Sequence, residues 1–412
     1  MNIATRICLA FATITVLAGN SFADTEWSGS WELALQTNGG PLPIQLSLQH
    51  DGNVEQDNWS ATITNGPEQI DVPVKIRGEA IVLDMPHYDS KIKLNRTGDT
   101  LAGTWTKTRG ADEVATVAMK GTKRRDAGMP QLPPSSKVVD SFIGRFEVKF
   151  ADSDELAIGV FSKSGPNQIE GTFLTATGDY RYLFGAVGAG DQLVLSCFDG
   201  AHAFLFHARH QDGKLEGDFW SGNWYHTRWT AHRNPDAKLA DGFSQTTVNT
   251  SVNIAELQYF DLLGKPISLG SPRLRGKVTI LELFGSWCPN CHDAASLLGT
   301  LHEKYHAQGL KVVGLGFELT GNQERDLRQL SRYRDRYAID YPVLLAGLAN
   351  KEKASRAFPL IDRIRSYPTT IFIDQAGKVR SAYSGFSGPA TGAAHQELRE
   401  SFEQIVVKLL NE

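Results

Sequence analysis

One stretch constrains this chain more than any other: Glu282-Leu283-Phe284-Gly285-Ser286-Trp287-Cys288-Pro289-Asn290-Cys291-His292. The apolar run 277–284 predicts a strand, Gly285-Ser286 breaks it, and a helical pattern follows that carries two cysteines three residues apart. Unpaired N–H groups and the helix dipole at a helix start stabilise negative charge, so Cys288 is placed to be nucleophilic as thiolate. Cys291, one turn on, shares its face and can attack back to release a mixed disulfide. The layout suits reversible thiol and disulfide chemistry.

Length and composition bound where such a pair works. With 412 residues the chain needs two or three domains, and 41% apolar with 21% charged residues is ordinary for globular proteins. A formal net charge of −4 without a basic stripe argues against nucleic acid as a partner. Arg6, the apolar run 7–19 and the small residues of Ser21-Phe22-Ala23 read as a signal peptide over residues 1–23. The run is shorter than the ~20 apolar residues of a membrane span. Leu17-Ala18-Gly19 resembles a lipoprotein signal, but Asn20 stands where the lipid-accepting cysteine would be. The expectation is an exported chain, periplasmic or otherwise outside the cytoplasm, and soluble after signal cleavage. Cys8 leaves with the signal, and Cys197, Cys288 and Cys291 are too few for a disulfide-stapled fold.

Between Trp27 and about Lys123, short runs alternate polar and apolar residues without helical period, which predicts an all-β region over residues 24–125. A second such region covers 137–235, after a linker at 126–136 with Pro130, Pro133 and Pro134. The two look like copies. Gly29-Ser30-Trp31-Glu32-Leu33 matches Gly144-Arg145-Phe146-Glu147-Val148, Ala80-Ile81-Val82-Leu83 matches Gln192-Leu193-Val194-Leu195, and Leu101-Ala102-Gly103-Thr104-Trp105 matches Leu215-Glu216-Gly217-Asp218-Phe219. Offsets drifting only between about 112 and 115 residues indicate duplication with small loop changes. Each copy is expected to form a small antiparallel barrel or sandwich. In the same register Cys197 falls on Met85, so it is expected to be an inert core thiol.

Two clusters in the second copy invite other functions. His202, His207 and His210 suggest a metal, but His207 points to the opposite strand face and the other two lie about 26 Å apart at strand rise. No metal site is assigned. Phe219, Trp220, Trp224, Tyr225 and Trp229 suit core packing and barrel closure, or alternatively a ligand surface.

Residues 234–250 read as a second linker, and from Leu257 strands alternate with helices. A hairpin is expected around 261–266, strands at 277–284, 310–317, 341–345, 369–374 and 378–383, and helices at 293–306, 323–337, 351–358 and 395–410. That order is α/β with an antiparallel hairpin near its end.

The region 250–412, from residue 257 onward, resembles a thioredoxin-fold domain and, within that superfamily, the TlpA/ResA-like branch of exported thiol-disulfide oxidoreductases. Trp287-Cys288-Pro289-Asn290-Cys291 is similar to the family's WCxxC active site, and Tyr367-Pro368-Thr369-Thr370 to its cis-proline loop. The resemblance implies that Cys288 attacks and Cys291 resolves, as a redox-active disulfide pair. It also implies that Trp287, Pro289, Tyr367, a cis Pro368 and Thr369 flank the substrate, with no cofactor needed. Glu282 falls where thioredoxins keep a buried acid, and Glu318 resembles the acid that the TlpA/ResA-like branch places after the next strand. A carboxyl among apolar neighbours has a raised pKa and suits proton exchange with the resolving thiol. Implied partners are disulfide-containing exported proteins, apocytochrome c among them, and an upstream, membrane-bound redox partner. Reduction is the expected direction, with oxidation and isomerisation open.

Three other functions fit parts of the chain. Cys288-Pro289-Asn290-Cys291-His292 also fits a C-x-x-C-H haem c attachment site with His292 as axial ligand, but that motif needs neither a buried strand before it nor a cis-proline strand after it. A peroxiredoxin-like peroxidase would need threonine where this chain has Gly285. Finally, the β copies could bind an unknown ligand or surface partner and carry the main function, with the redox domain accessory.

Overall fold

A computed structural model describes residues 26–51, 58–124 and 136–412. The signal peptide, Cys8 and nearly all of the first expected linker lie outside the described residues.

Strand by strand, the first β region alternates as its sequence does. Along Gly29–Thr37, Trp31, Leu33 and Leu35 are buried, and they face Leu42, Ile44, Leu46 and Leu48 of Gly40–His50 within one core. Nine strands form one sheet whose two ends, Glu68–Val72 and Val74–Arg77, are consecutive in the chain and separated by Pro73 alone. Proline has no N–H for a ladder, so the strand bends there, one half pairing with Trp59–Asn65 and the other with Ala80–Met85. The sheet closes on itself as a meander barrel.

The second region repeats this order. Leu156–Lys163 pairs with both Gly144–Phe150 and Gln168–Thr175, which closes eight of its nine strands into a ring. An eight-stranded barrel has an interior just wide enough for side chains to fill. Here aromatic rings fill it, including Phe150, Phe173, Phe206, Phe219 and Trp229. All three matched segments fall on corresponding strands, and Cys197 is fully buried in the second barrel's core, as its counterpart Met85 is buried in the first.

The barrels share a surface. Phe198, Ala201, Ala203 and Leu205 of the second join the core of the first, the Asn65 amide donates to Ser196 Oγ at 3.0 Å, and Ser90 Oγ donates to Gly200 O at 2.5 Å. The aromatic cluster divides accordingly. Phe219 and Trp229 fill the second barrel, whereas Trp220 and Trp224 pack against the first.

The C-terminal part holds a seven-stranded sheet with Val278–Phe284 near its centre, parallel to Leu310–Glu318 and antiparallel to Thr369–Asp374. All seven residues of Val278–Phe284 are buried, as a strand covered on both faces requires. Helices span Pro289–Tyr305, Gln323–Arg336, Lys351–Ala357 and Ala393–Leu410. The first begins four residues earlier than its apolar period suggests, because Pro289 suits a first helical position and Cys288 caps it. Leu310–Glu318 follows Gly309, whose φ of +112° ends the preceding turn.

Residues 234–250 are a docked strap rather than a free linker. Phe243 packs edge-on against Tyr383 at 4.8 Å, Thr246 Oγ1 lies 2.6 Å from Ser384 Oγ, and Val248 bridges to Ile361. Its polar composition concealed this, since backbone and hydroxyl groups make most of the attachment. Among the described residues, no helix is long and apolar enough to cross a membrane.

Candidate active site

The buried central strand delivers the chain to Gly285-Ser286-Trp287, and the helix Pro289–Tyr305 starts immediately after. Cys288 is the N-cap residue, and its Sγ accepts the Cys291 backbone N–H at 3.3 Å. A sulfur in that position is the acceptor for the helix's free N–H groups and meets the positive end of its dipole. Both cysteines are free thiols; Cys288 is 6% exposed and Cys291 fully buried. Burial, with the Cys288 bond and the neighbouring acid Glu282, pushes the Cys291 thiol well above its ordinary range. The pair is therefore asymmetric, with the reachable sulfur at the helix start and the other behind it.

The Tyr367–Pro368 peptide is cis, and the Cys288 thiol lies 3.5 Å from Tyr367 O. The Tyr367 ring stands edge-on to Trp287 at 5.8 Å, while Trp287 Nε1 donates to Phe317 O at 3.0 Å. Pro289 is buried against the same cleft as Cys288 and Tyr367. Thr369 is fully buried, its hydroxyl donates back to Ser366 O at 2.9 Å, and it pairs with Leu283 and Ser384 on the neighbouring strands, so it does not line the cleft beside Cys288.

The two acids take different places. Glu282 is fully buried with neither carboxyl oxygen hydrogen-bonded, and burial raises its pKa to about 8. Its charge is felt at Cys291, Tyr333 and Tyr341. Glu318, also fully buried, accepts from Ser286 N–H and Ser286 Oγ, each at 2.9 Å. Burial outweighs those bonds and raises it to about 8 too. Glu318 thus touches the turn before Cys288 and not a thiol.

His292 is a satisfied core histidine. Its Nε2 lies 2.6 Å from Ser286 O and its Nδ1 2.7 Å from Tyr337 Oη, and burial lowers its pKa to about 3. A neutral ring donating from Nε2 and accepting at Nδ1 fits both partners and has no nitrogen left for a haem iron. His202 pairs with Asp199, and His207 packs edge-on against Trp220. No cluster of metal-ligating side chains occurs among the described residues.

Several residues at the site came from the barrels and carried no sequence signal. Arg181 of the second barrel pairs with Asp293, contacts both carboxyl oxygens of Glu68 at 3.2 Å, and lies 3.7 Å from Asp199. Tyr88 of the first barrel stacks on His292 at 4.7 Å, and Arg325 of the helix Gln323–Arg336 pairs with Asp89. Apart from the approach to Asp199, these contacts join groups more than a hundred residues apart, which no local pattern announces. Beside Cys288 a cleft of about 660 Å³ opens between the redox motif and the second barrel. A larger one, about 990 Å³, lies between the second barrel, the strap and the helix Ala393–Leu410, and no residue of the redox motif lines it.

Comparison with known proteins concerns this C-terminal part. Residues 248–382 match the AhpC/TSA family. Over 148 residues the chain is 25% identical to the thiol-disulfide oxidoreductase ResA of Halalkalibacterium halodurans, covering 35% of this chain and 70% of that protein. Over 111 residues it is 25% identical to the thioredoxin-like protein YneN of Bacillus subtilis, covering 27% of this chain and 58% of that one. Among solved structures, a thioredoxin-family thiol:disulfide interchange protein from Chlorobium tepidum aligns at 25% identity and a TM-score of 0.30, over 40% of this chain and 98% of that one. The C-terminal part of this chain is a thioredoxin-like domain of the AhpC/TSA type, related to thiol-disulfide oxidoreductases, and the two barrels stand outside that relationship.

Proposed function

We propose that this chain is an exported, periplasmic thiol-disulfide oxidoreductase that reduces disulfides in exported proteins through Cys288 and Cys291. The observation that carries this reading is the placement of Cys288 Sγ at the start of the helix Pro289–Tyr305, 3.3 Å from Cys291 N and 3.5 Å from Tyr367 O. Cys288 thiolate attacks one sulfur of the substrate disulfide, forming a mixed disulfide and releasing one substrate thiolate. Cys291 then attacks Cys288 Sγ and releases the second, so the substrate gains the two electrons that the cysteine pair loses. Glu282, buried and without a hydrogen-bond partner, accepts the Cys291 proton in its ionised form, whose share rises as pH approaches about 8. Glu318 steadies the turn at Ser286 that aims Cys288. An upstream membrane-bound dithiol partner returns the pair to its reduced form, and apocytochrome c cysteines are among the substrates.

The test is reduction of hydroxyethyl disulfide and of insulin with dithiothreitol as electron source, alongside the potential of the pair. Cys288→Ser should abolish turnover, and a potential near about −270 mV fits a reductant. A value near about −120 mV would make the protein an oxidant instead.

A further inference from the structure

The Cys288 thiol does not open onto bulk solvent. A hairpin of the second barrel lies directly over the motif. The left-handed Gly178 (φ +150°) is so close to Asn290 that a Cβ there would sit 2.4 Å from Asn290 Nδ2. Next to it, Asp179 Oδ2 accepts the Gly388 N–H at 2.6 Å, and Arg181 pairs with Asp293. Two of these attachments, at Asn290 and Asp293, fix the barrel against the helix that carries both cysteines, and the third holds it to the loop at Gly388. What remains open beside Cys288 is the cleft of about 660 Å³, with Trp287, Cys288 and Tyr367 along one wall. The facing wall is the mouth of the barrel, where Tyr180 and Phe204 present rings from its aromatic interior. Tyr225 and Leu156 stand at the rim, 40% and 47% exposed, on a molecule with few large apolar side chains in solvent.

We propose that the second barrel is the specificity wall of the redox site, and that it selects an extended peptide segment carrying an aromatic or large aliphatic side chain beside its disulfide-bonded cysteine. The proposal rests on the oxidoreductase function above and names its substrate class. A cleft of this volume suits a ligand of drug-like size, so a few residues of extended chain enter it and the face of a folded domain does not. With Cys288 only 6% exposed, its sulfur is met from inside the cleft. A segment whose cystine reaches Cys288 Sγ lies along Tyr367 and turns its neighbouring side chains toward Tyr180, Phe204, Tyr225 and Leu156. The lining carries both signs of charge, with Arg109 and Lys351 against Asp152, Glu155 and Asp179, so apolar contact rather than net charge discriminates. Electrons flow as in the parent reaction. The Cys288–substrate bond forms as the substrate S–S bond breaks, then the Cys288–Cys291 bond forms, and added dithiothreitol restores the pair.

The test uses the full chain and two cystine peptides, one with phenylalanine on each side of its cysteine and one with serine there, both with dithiothreitol. The phenylalanine peptide should be reduced with a kcat/KM about ten-fold higher, the discrimination expected from partial burial of an aromatic ring. Leu156→Asp combined with Tyr225→Ser should bring that ratio close to one. A ratio near one in the unaltered chain, or one unchanged in the double variant, overturns the proposal. Should the double variant fail to fold by circular dichroism, a cysteine-free form of the phenylalanine peptide decides on the unaltered chain, where it should compete with its cystine counterpart and the serine form should not. Equal inhibition by both forms, or by neither, overturns it as well. If the unaltered chain reduces hydroxyethyl disulfide but shows no preference, only the wall is refuted. If it reduces none of these disulfides, the oxidoreductase function itself falls.

Discussion

Arg181, on the second barrel, pairs with Asp293, two residues beyond Cys291 on the helix that the redox cysteines begin. The same guanidinium holds Glu68 of the first barrel and approaches Asp199 of the second, so one side chain ties all three parts of the molecule. The Arg181 side chain is 9% exposed and that of Asp199 not at all. One guanidinium does not keep all three carboxyls ionised. Burial raises Asp293 to about 7 and Glu68 above its ordinary range, whereas Asp199, paired also with His202, is held low, so the group is stable only as a set.

Arg181→Ala should therefore be severely destabilising. Removing one partner of a buried ion cluster leaves uncompensated carboxylates, a loss of about 3–5 kcal/mol. Urea unfolding followed by tryptophan fluorescence would show a lower midpoint for the transition that separates barrel from redox domain. A shift below about 1 kcal/mol would mean that the cluster contributes no more than an exposed ion pair.

Glu282 makes stability depend on pH in the sense opposite to a salt-bridged acid. Burial lifts its folded pKa from 4.5 to about 8, so between those values the folded state keeps a proton that the unfolded state has lost. Stability then falls as pH rises from about 4.5 through about 8. Glu282→Gln should match the parent near pH 5 and exceed it by a few kcal/mol near pH 9, because the amide never ionises. In the same variant, release of a trapped mixed disulfide by Cys291 should slow by about 10²-fold, the usual contribution of a placed proton acceptor. Stopped-flow release rates against pH read the second effect. An unchanged profile would remove Glu282 from the resolving step.

Cys197 should be chemically silent in the folded protein. It is fully buried in the second barrel's core, and burial raises its thiol well above the ordinary range. Iodoacetamide under native reducing conditions should modify Cys288, sparing Cys197 until denaturant is added. Peptide mapping by mass spectrometry distinguishes the sites, and native labelling of Cys197 would show that the barrel opens.

How much of this was legible in the chain differs by scale. The motif around Cys288, the strand before it and the loop at Pro368 are local patterns, since period, turn residues and caps act within a few positions. The duplication was visible because matching strands keep alternation at a near-constant offset, as Trp31 and Phe146 do. The faces between the parts were not. Tyr88 on His292, Arg181 on Asp293 and Gly178 on Asn290 each join distant segments, and a buried arginine or tyrosine looks in sequence like any surface residue. Glu318 shows the intermediate case. Its position was legible from the strand, but its partner, Ser286, became evident only with the fold.

The strap over residues 234–250 gives the last prediction, because its first part rests on the second barrel, where Arg145 Nε donates to Ala237 O at 2.9 Å, whereas the part from Gly242 onward is attached to the redox domain. Phe243 covers Tyr383 and Phe402, at ring separations of 4.8 and 6.3 Å, and Gly242 lies so close to the Tyr383 ring that a Cβ would sit 2.5 Å from it. Backbone bonds continue the contact, with Asn249 N–H donating to Leu360 O and Asp362 N–H to Thr247 O, both at 2.8 Å. Cutting the chain at residue 250 would expose two rings and orphan those groups. Loss of the contact of the half-buried Phe243 ring is worth up to about 1.5–3 kcal/mol, the figure for full burial. A fragment of residues 234–412 should accordingly melt at least about 5 °C above one of residues 250–412 by calorimetry. The shorter fragment should also bind a hydrophobic dye that the longer one does not. Equal melting temperatures would return the strap to the status of a passive linker, and would place the boundary of the redox domain after it.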